Sequence, residues 1–311
     1  MTKLLLAAAA MVLSSIAHAQ TSINLGNYVL QATYSLDTLS DRGLEASAVT
    51  YARDRGTLFF VGDEGLGVVE ISRTGTTLGS MAFTWPVAST NHDAEGLAYL
   101  GGGKLVVIDE RLQDAYRFDF LNGGTAALQS ADFVSFGATV GNIGTEGISV
   151  DPRTGRFLTV KQAGPQNVLE GTLTFAPPPA GGVSGMAPLF DPALLGLASL
   201  SDIQTLSPVD ALSGRPAADN LLILSLDSKK LVESNRSGTV LSSFDLGPLT
   251  TQAIEGVTVD EHGVIYLVAE SIEGASPSKL FVLTPVPEPG QWVLMLAGLI
   301  GLGLRLRRVR A

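Results

Sequence analysis

The chain contains no cysteine in 311 residues, so no disulfide can staple it and no thiolate can hold a metal. Histidine is nearly as scarce, with His18, His92 and His262 the whole set, which selects against zinc and copper centres. No Gly-x-Ser-x-Gly elbow and no phosphate-binding loop is present. Basic residues are short: 20 Lys+Arg stand against 30 Asp+Glu, a net charge of −10. Nucleic acid is excluded as a partner for such a surface, whereas cations and cationic or neutral ligands suit it.

Both ends carry their own patterns. Lys3, the apolar stretch Leu4 to Ile16 and then Ala17-His18-Ala19 predict a signal peptide over 1–19, cut before Gln20. His18 leaves with it. At the other end, Pro285, Pro287 and Pro289 predict a stiff linker over 285–290. A transmembrane helix is expected over 291–304, with Trp292 to Leu304 free of charge, and a basic cytoplasmic tail over 305–311 carries Arg305, Arg307, Arg308 and Arg310. The alternative is a C-terminal helix docked on the domain, which would crowd those four arginines into its last turns. Linker, apolar span and basic stop, in that order, resemble the PEP-CTERM sorting signal of exopolysaccharide-producing Gram-negative bacteria. The resemblance implies that an exosortase-type membrane peptidase recognises Pro287, Glu288 and Pro289 and removes the span. The protein is then expected to cross the inner membrane, to be anchored transiently, and to end at the cell surface or outside the cell. Between the two signals, residues 20–287 hold 15 basic and 29 acidic side chains, enough chain to form a core by burial alone.

A repeat near 50 residues organises the rest of the chain, 20–284. Five times a polar or acidic residue opens an apolar strand, a Gly-containing turn follows, and a second apolar strand closes on a polar or acidic residue. The copies run Ser47 to Asp63, Glu95 to Glu110, Glu146 to Gln162, Gln204 to Asp227 and Glu255 to Glu270, with spacings of 16, 15, 16, 23 and 15. Third strands follow at 68–72, 115–120, 168–175, 231–235 and 279–283; fourth strands are visible at 78–83 and 240–246. Four antiparallel strands per unit predict an all-β propeller of five blades. A sixth blade inside 177–200 is the alternative. The fifth unit lacks a fourth strand before the proline linker, and residues 27–36, with Tyr28, Leu30, Ala32, Tyr34 and Leu36 alternating with polar residues, are expected to supply it.

Leu44 to Tyr51, Asp93 to Tyr99, Thr145 to Pro152 and Ala253 to Val259, three of them built on Glu-Gly, resemble the SdiA-regulated family of exported bacterial propellers over roughly residues 25–284. Related Glu-Gly hairpins occur in phytase-like and lactonase-like propellers. The chain departs from the pattern at Ala48 and Thr205, which stand where glycine is expected, and at Gln162, which stands for an acid.

Because the first strand of a blade runs away from one mouth of the channel and the second runs back, opening and closing residues share that mouth. Glu95, Glu146 and Glu255, with Ser47 and Gln204, are expected to form one ring, and Asp63, Glu110, Asp227 and Glu270, with Gln162, a second. Such crowding needs protonation, a basic partner such as Arg111 or Lys161, or a bound cation. All-oxygen donors point to a hard ion of the Ca2+ type. The alternative is that the three glutamates cap backbone amides of neighbouring blades. Two functions follow. One is a surface or matrix protein binding calcium, exopolysaccharide or another neutral or cationic ligand; the other is a calcium-dependent hydrolase of lactones, esters or phosphates, with His92 the candidate general base. The residues favour binding. Trp85 is a candidate sugar-stacking side chain, and Asn235-Arg236-Ser237 fits a glycosylation sequon as well as a turn.

Overall fold

The computed structural model describes residues 20–36, 42–86, 92–141, 143–272 and 276–286. The expected signal peptide (1–19) and the sorting motif, span and tail (287–311) lie outside them. Among the described residues no helix is long and apolar enough to cross a membrane.

The second strands explain the architecture. In Thr57–Gly62, Lys104–Asp109, Leu221–Ser225 and Ile265–Ala269 nearly every side chain is buried, the signature of a strand covered on both faces. Successive side chains point to opposite faces. Phe59 and Val61 accordingly join a core with Leu97, Leu105 and Val107 on one side, while Leu58 and Phe60 join Tyr266, Val268 and Leu280 on the other. Three further clusters repeat the arrangement between the remaining neighbours. The core is therefore five wedges between five sheets, closed into a ring.

Blade one is Ala46–Ala52, Thr57–Gly62, Gly67–Ile71 and Thr77–Thr84; blade two is Ala94–Gly101, Lys104–Asp109, Asp114–Asp119 and Asp132–Ser135. Thr145–Asp151, Arg156–Lys161, Asn167–Gly171 and Ala187–Phe190 make blade three; Asp202–Thr205, Leu221–Ser225, Lys230–Ser234 and Val240–Asp245 make blade four. Blade five is Ile254–Val259, Ile265–Ala269 and Lys279–Pro285, completed by the N-terminal strand Tyr28–Ser35. The five-blade expectation and the closure by the first strand both hold. Residues 177–200 hold no sixth blade; they supply the outer strand of blade three and the short 3-10 turn Pro192–Leu195. Pro285 is not linker but the last residue of its strand, paired with Tyr28, and the Val286 amide donates to Asn27 O at 2.7 Å.

The first strands line the channel, and hydroxyls stitch them together. The amides of Tyr51, Tyr99 and Thr205 donate to Thr258 Oγ1, Thr50 Oγ1 and Ser149 Oγ, each across a blade boundary.

Three outer edges are covered by the following blade. Thr125–Ala127, from the loop before the last strand of blade two, pairs in parallel with Thr77–Thr84 of blade one. The hairpin Leu173–Thr174 with Val183–Ser184, from blade three, reaches back to Phe133 of blade two. Residues 22–25 lie on the outer strand of blade four, where the Leu25 amide donates to Ser242 Oγ at 2.9 Å. Covered edges suit a fold without disulfides. The closing strand departs from simple alternation: a bulge between Leu30 and Ala32 leaves Leu30 exposed.

Candidate acidic mouth

Each first strand begins at the same end of the channel, and there the pairing slips. Register shifts fall between Ala46 and Ala48, Ala94 and Gly96, Thr145 and Ile148, and Ile254 and Gly256. Ser47, Glu95, Glu146 and Glu255 therefore stand in β-bulges, which re-aim a side chain away from the regular ladder. The glycine after each glutamate admits the next inner strand: a Cβ on Gly96 would lie 2.3 Å from Glu146 O, and one on Gly256 2.9 Å from Ser47 O.

Blade four departs from the expected register. Thr205 pairs with Leu221 and Asp202 with Leu224, so Ser201 occupies the bulge position and Asp202 the glycine position. Gln204 lies three residues deeper in the wall, its Oε1 accepting from Thr258 Oγ1 at 3.2 Å, and is not at the mouth. The acid-bearing end of the second strand shifts with it. Leu226 takes that place, and Asp227 is exposed on the turn beyond, its amide on Ser199 Oγ at 3.1 Å.

The other six predicted acids come together. Burial pushes the Glu95 carboxyl well up, with Glu255, Glu146, Asp93 and Asp63 adding repulsion. Burial likewise raises Glu146 to about 10, reinforced by Glu110 and Glu255, and Glu255 upward, reinforced by Glu270. Asp63 is pushed up to about 7 by burial and by Glu45, Glu270 and Asp93, against the Glu64 amide that favours its charge. Glu110 also reaches about 7 through burial and Asp93, although the Gly144 amide donates to its Oε1 at 2.5 Å.

Two acids were missed as members of the rings. Glu45 and Asp93 each stand two residues before a bulge position, and their carbonyls accept the amides of Asp63 and Glu110. Both lie just outside the inner strands Ala46–Ala52 and Ala94–Gly101, and Glu45 has φ 56°, so strand alternation does not mark them. Carboxylate oxygens of Glu45, Asp63 and Glu270 lie within 4.8 Å of one another, as do those of Asp63, Asp93 and Glu95. Asp63 belongs to both sets.

Counter-charge is sparse. The mouth's ion pair among the described residues is Arg111 Nε to Asp93 Oδ2, 2.7 Å. Lys161, the other expected partner, forms none among them. His92 is stacked on Trp85, centroids 5.3 Å apart and planes 13° from parallel, and joins neither carboxylate set. Trp85 itself is only 9% exposed and packs edge-on to Phe83, so it offers no face to a sugar. Asn235 Oδ1 accepts the amides of Ser237 and Thr239, as the turn reading of that tripeptide requires.

Among solved structures the chain is similar to Myxococcus xanthus glutaminyl cyclase, with 13% identity over 83% of this chain and 97% of that one, and a TM-score of 0.53. A luciferin-regenerating enzyme aligns at 12% identity over 82% and 96% with a TM-score of 0.49. The soluble aldose sugar dehydrogenase of Escherichia coli aligns at 14% over 83% and 86%, TM-score 0.46. Likeness at these identities concerns the fold alone. The model of one family, described as SdiA-regulated, matches residues 21–272, nearly the whole ring with its bulged glutamates, and the chain belongs to that family.

Proposed function

We propose that this propeller is an exported binding protein whose acidic mouth takes up a hard divalent cation of the Ca2+ type, and that it acts at the cell surface or in the extracellular matrix. In this reading the C-terminal segment anchors it to the membrane until an exosortase-type peptidase cuts at Pro287, Glu288 and Pro289.

The observation that supports the cation is the crowding at the mouth, where two carboxylate sets, each within 4.8 Å, share Asp63. Two unit charges about 5 Å apart repel by about 3 kcal/mol at an effective dielectric of about 20. Protons relieve this at low pH, and a cation relieves it at neutral pH. Donors that are all oxygen, gathered at the ends of several different strands, match the coordination of calcium and not that of zinc or copper. With His92 held on Trp85, the mouth presents carboxylates without an imidazole base, which favours binding over turnover. Glu45, Asp63, Asp93, Glu95 and Glu270 are the residues that would hold the ion.

The test uses the domain from Gln20 to Val286. Millimolar calcium is expected to raise its Tm by several degrees, as binding only to the folded state requires, and terbium bound at the same place is expected to luminesce. Asp63→Asn, common to both sets, should abolish both signals. Unchanged Tm and luminescence in the parent domain would end the reading.

A further inference from the structure

Charge is distributed unequally between the two ends of the ring. Ion pairs of Lys and Arg with carboxylates cluster on the face opposite the mouth, among them Arg53 with Asp210, Arg55 with Glu70, Arg73 with Asp260 and Arg153 with Asp151. That face is locally neutralised, while the mouth gathers the two carboxylate sets.

Exposed apolar side chains occur at both ends, singly at the mouth as Leu66, Ile143 and Ile272, but on the neutral face they gather in one sector. Fourth strands start there and run toward the mouth, so Val29 and Leu30 on blade five, Leu78 on blade one, and Val240 and Leu241 on blade four all stand at its rim. They are 38–50% exposed and lie on three consecutive blades of the ring. Val286, 47% exposed, leaves the domain beside them through its bond to Asn27.

The chain outside the domain limits what can cover this sector. Only Pro287 to Gln291 separate Val286 from Trp292, where the uncharged stretch begins. Six Cα steps reach about 20 Å at most. The strand Lys279–Pro285, running from mouth to neutral face, also spans six Cα steps and is about 20 Å high. A mouth turned toward the lipid would need the whole tether merely to climb that height, with nothing left to round the rim.

We propose that the anchored protein rests on the lipid surface with the neutral-face sector of blades four, five and one, and holds the acidic mouth away from the membrane. This rests on the membrane-anchor reading given above. An anionic lipid surface would repel the mouth and tolerate the paired face, so charge acts in the same direction as the tether.

The absence of native cysteine allows single reporters in the full, uncut chain. Leu78→Cys and Leu241→Cys report the neutral face, and Lys230→Cys reports the mouth end of the same blade as Leu241. Each is labelled with an environment-sensitive fluorophore, inserted into phosphatidylethanolamine–phosphatidylglycerol vesicles, and quenched with spin-labelled lipid. Quenching at positions 78 and 241 is expected to exceed that at 230 several-fold. Chains that fail to float with the vesicles would remove the anchor and the orientation together. Chains that float but show equal or reversed quenching would leave the anchor standing and overturn the orientation.

Discussion

The carboxylate of Asp202 accepts the Val257 amide at 2.7 Å and the Ile203 amide at 2.8 Å, joining the inner strand of blade four to that of blade five. In blades two, three and five the same position is glycine, at Gly96, Gly147 and Gly256. Here it holds a buried side chain. Burial pushes the Asp202 carboxyl well above its ordinary range, with the two amides opposing.

Removing that acceptor is expected to be costly. Asp202→Ala leaves two buried amides without it, at about 1–3 kcal/mol for each unpaired group. Asp202→Asn keeps one acceptor oxygen but turns an NH2 donor toward the other amide, and is expected to fall between the parent and the alanine variant. Urea unfolding of both variants measures this, and an alanine variant within about 0.5 kcal/mol of the parent would show that the joint does not depend on Asp202.

Stability of the metal-free domain is expected to fall as pH rises through neutrality. In the unfolded chain Asp63 and Glu110 titrate at their ordinary values of 3.8 and 4.5, whereas in the folded domain burial makes both hold their protons to about 7. Between those limits the folded state binds more protons than the unfolded one, so each step up in pH weakens it. Glu146, raised to about 10, extends the decline into alkali. Burial would also raise Glu261, but the Tyr51 hydroxyl and Arg73 hold it at about 2, so it acts in the opposite sense and only in acid. A Tm profile in chelator should drop from pH 5 to 8 by on the order of 5 °C, and calcium should flatten it. A level profile in chelator would mean that the mouth acids are already ionised and solvated.

Much of this was legible in the sequence because burial on both faces produces continuous apolar runs such as Leu58-Phe59-Phe60-Val61, and these repeat at a fixed distance from Glu-Gly. Blade four was misregistered for the same reason. With Ser201-Asp202 in place of Glu-Gly, alignment settled on Gln204-Thr205, three residues too far along, and carried Asp227 into a ring that it does not join. Glu45 and Asp93 stand two residues before the bulge that marks the start of the repeat, so the repeat does not contain them. The straps that cover blade edges had no signal at all. Thr125–Ala127 is three residues long, and its partner lies in a different repeat, so neither periodicity nor propensity marks it.

The strap over blade four supplies the last prediction. Glu233 is 0% exposed, and its carboxylate accepts from Ser22 Oγ at 2.6 Å, the Ile23 amide at 2.9 Å, Asn220 Nδ2 at 2.7 Å and Ser242 Oγ at 2.8 Å. One side chain thus fastens residues 22–24 immediately before the strand that closes the ring. Glu233→Ala leaves four neutral donors without their acceptor and is expected to cost about 3–5 kcal/mol, since each unpaired buried group costs about 1–3 kcal/mol. Glu233→Gln keeps the shape but replaces one carboxylate oxygen with a donor facing donors, and should fall between. The effect should also be local. Hydrogen exchange at Ile23, Asn24 and Leu25 should quicken more than at Phe59 or Leu105 in the cores between other blades, because the strap can leave before the ring opens. Equal acceleration at all of these sites would mean that the strap and the ring come apart together, and that the N-terminal segment is as much a part of closure as the strand that follows it.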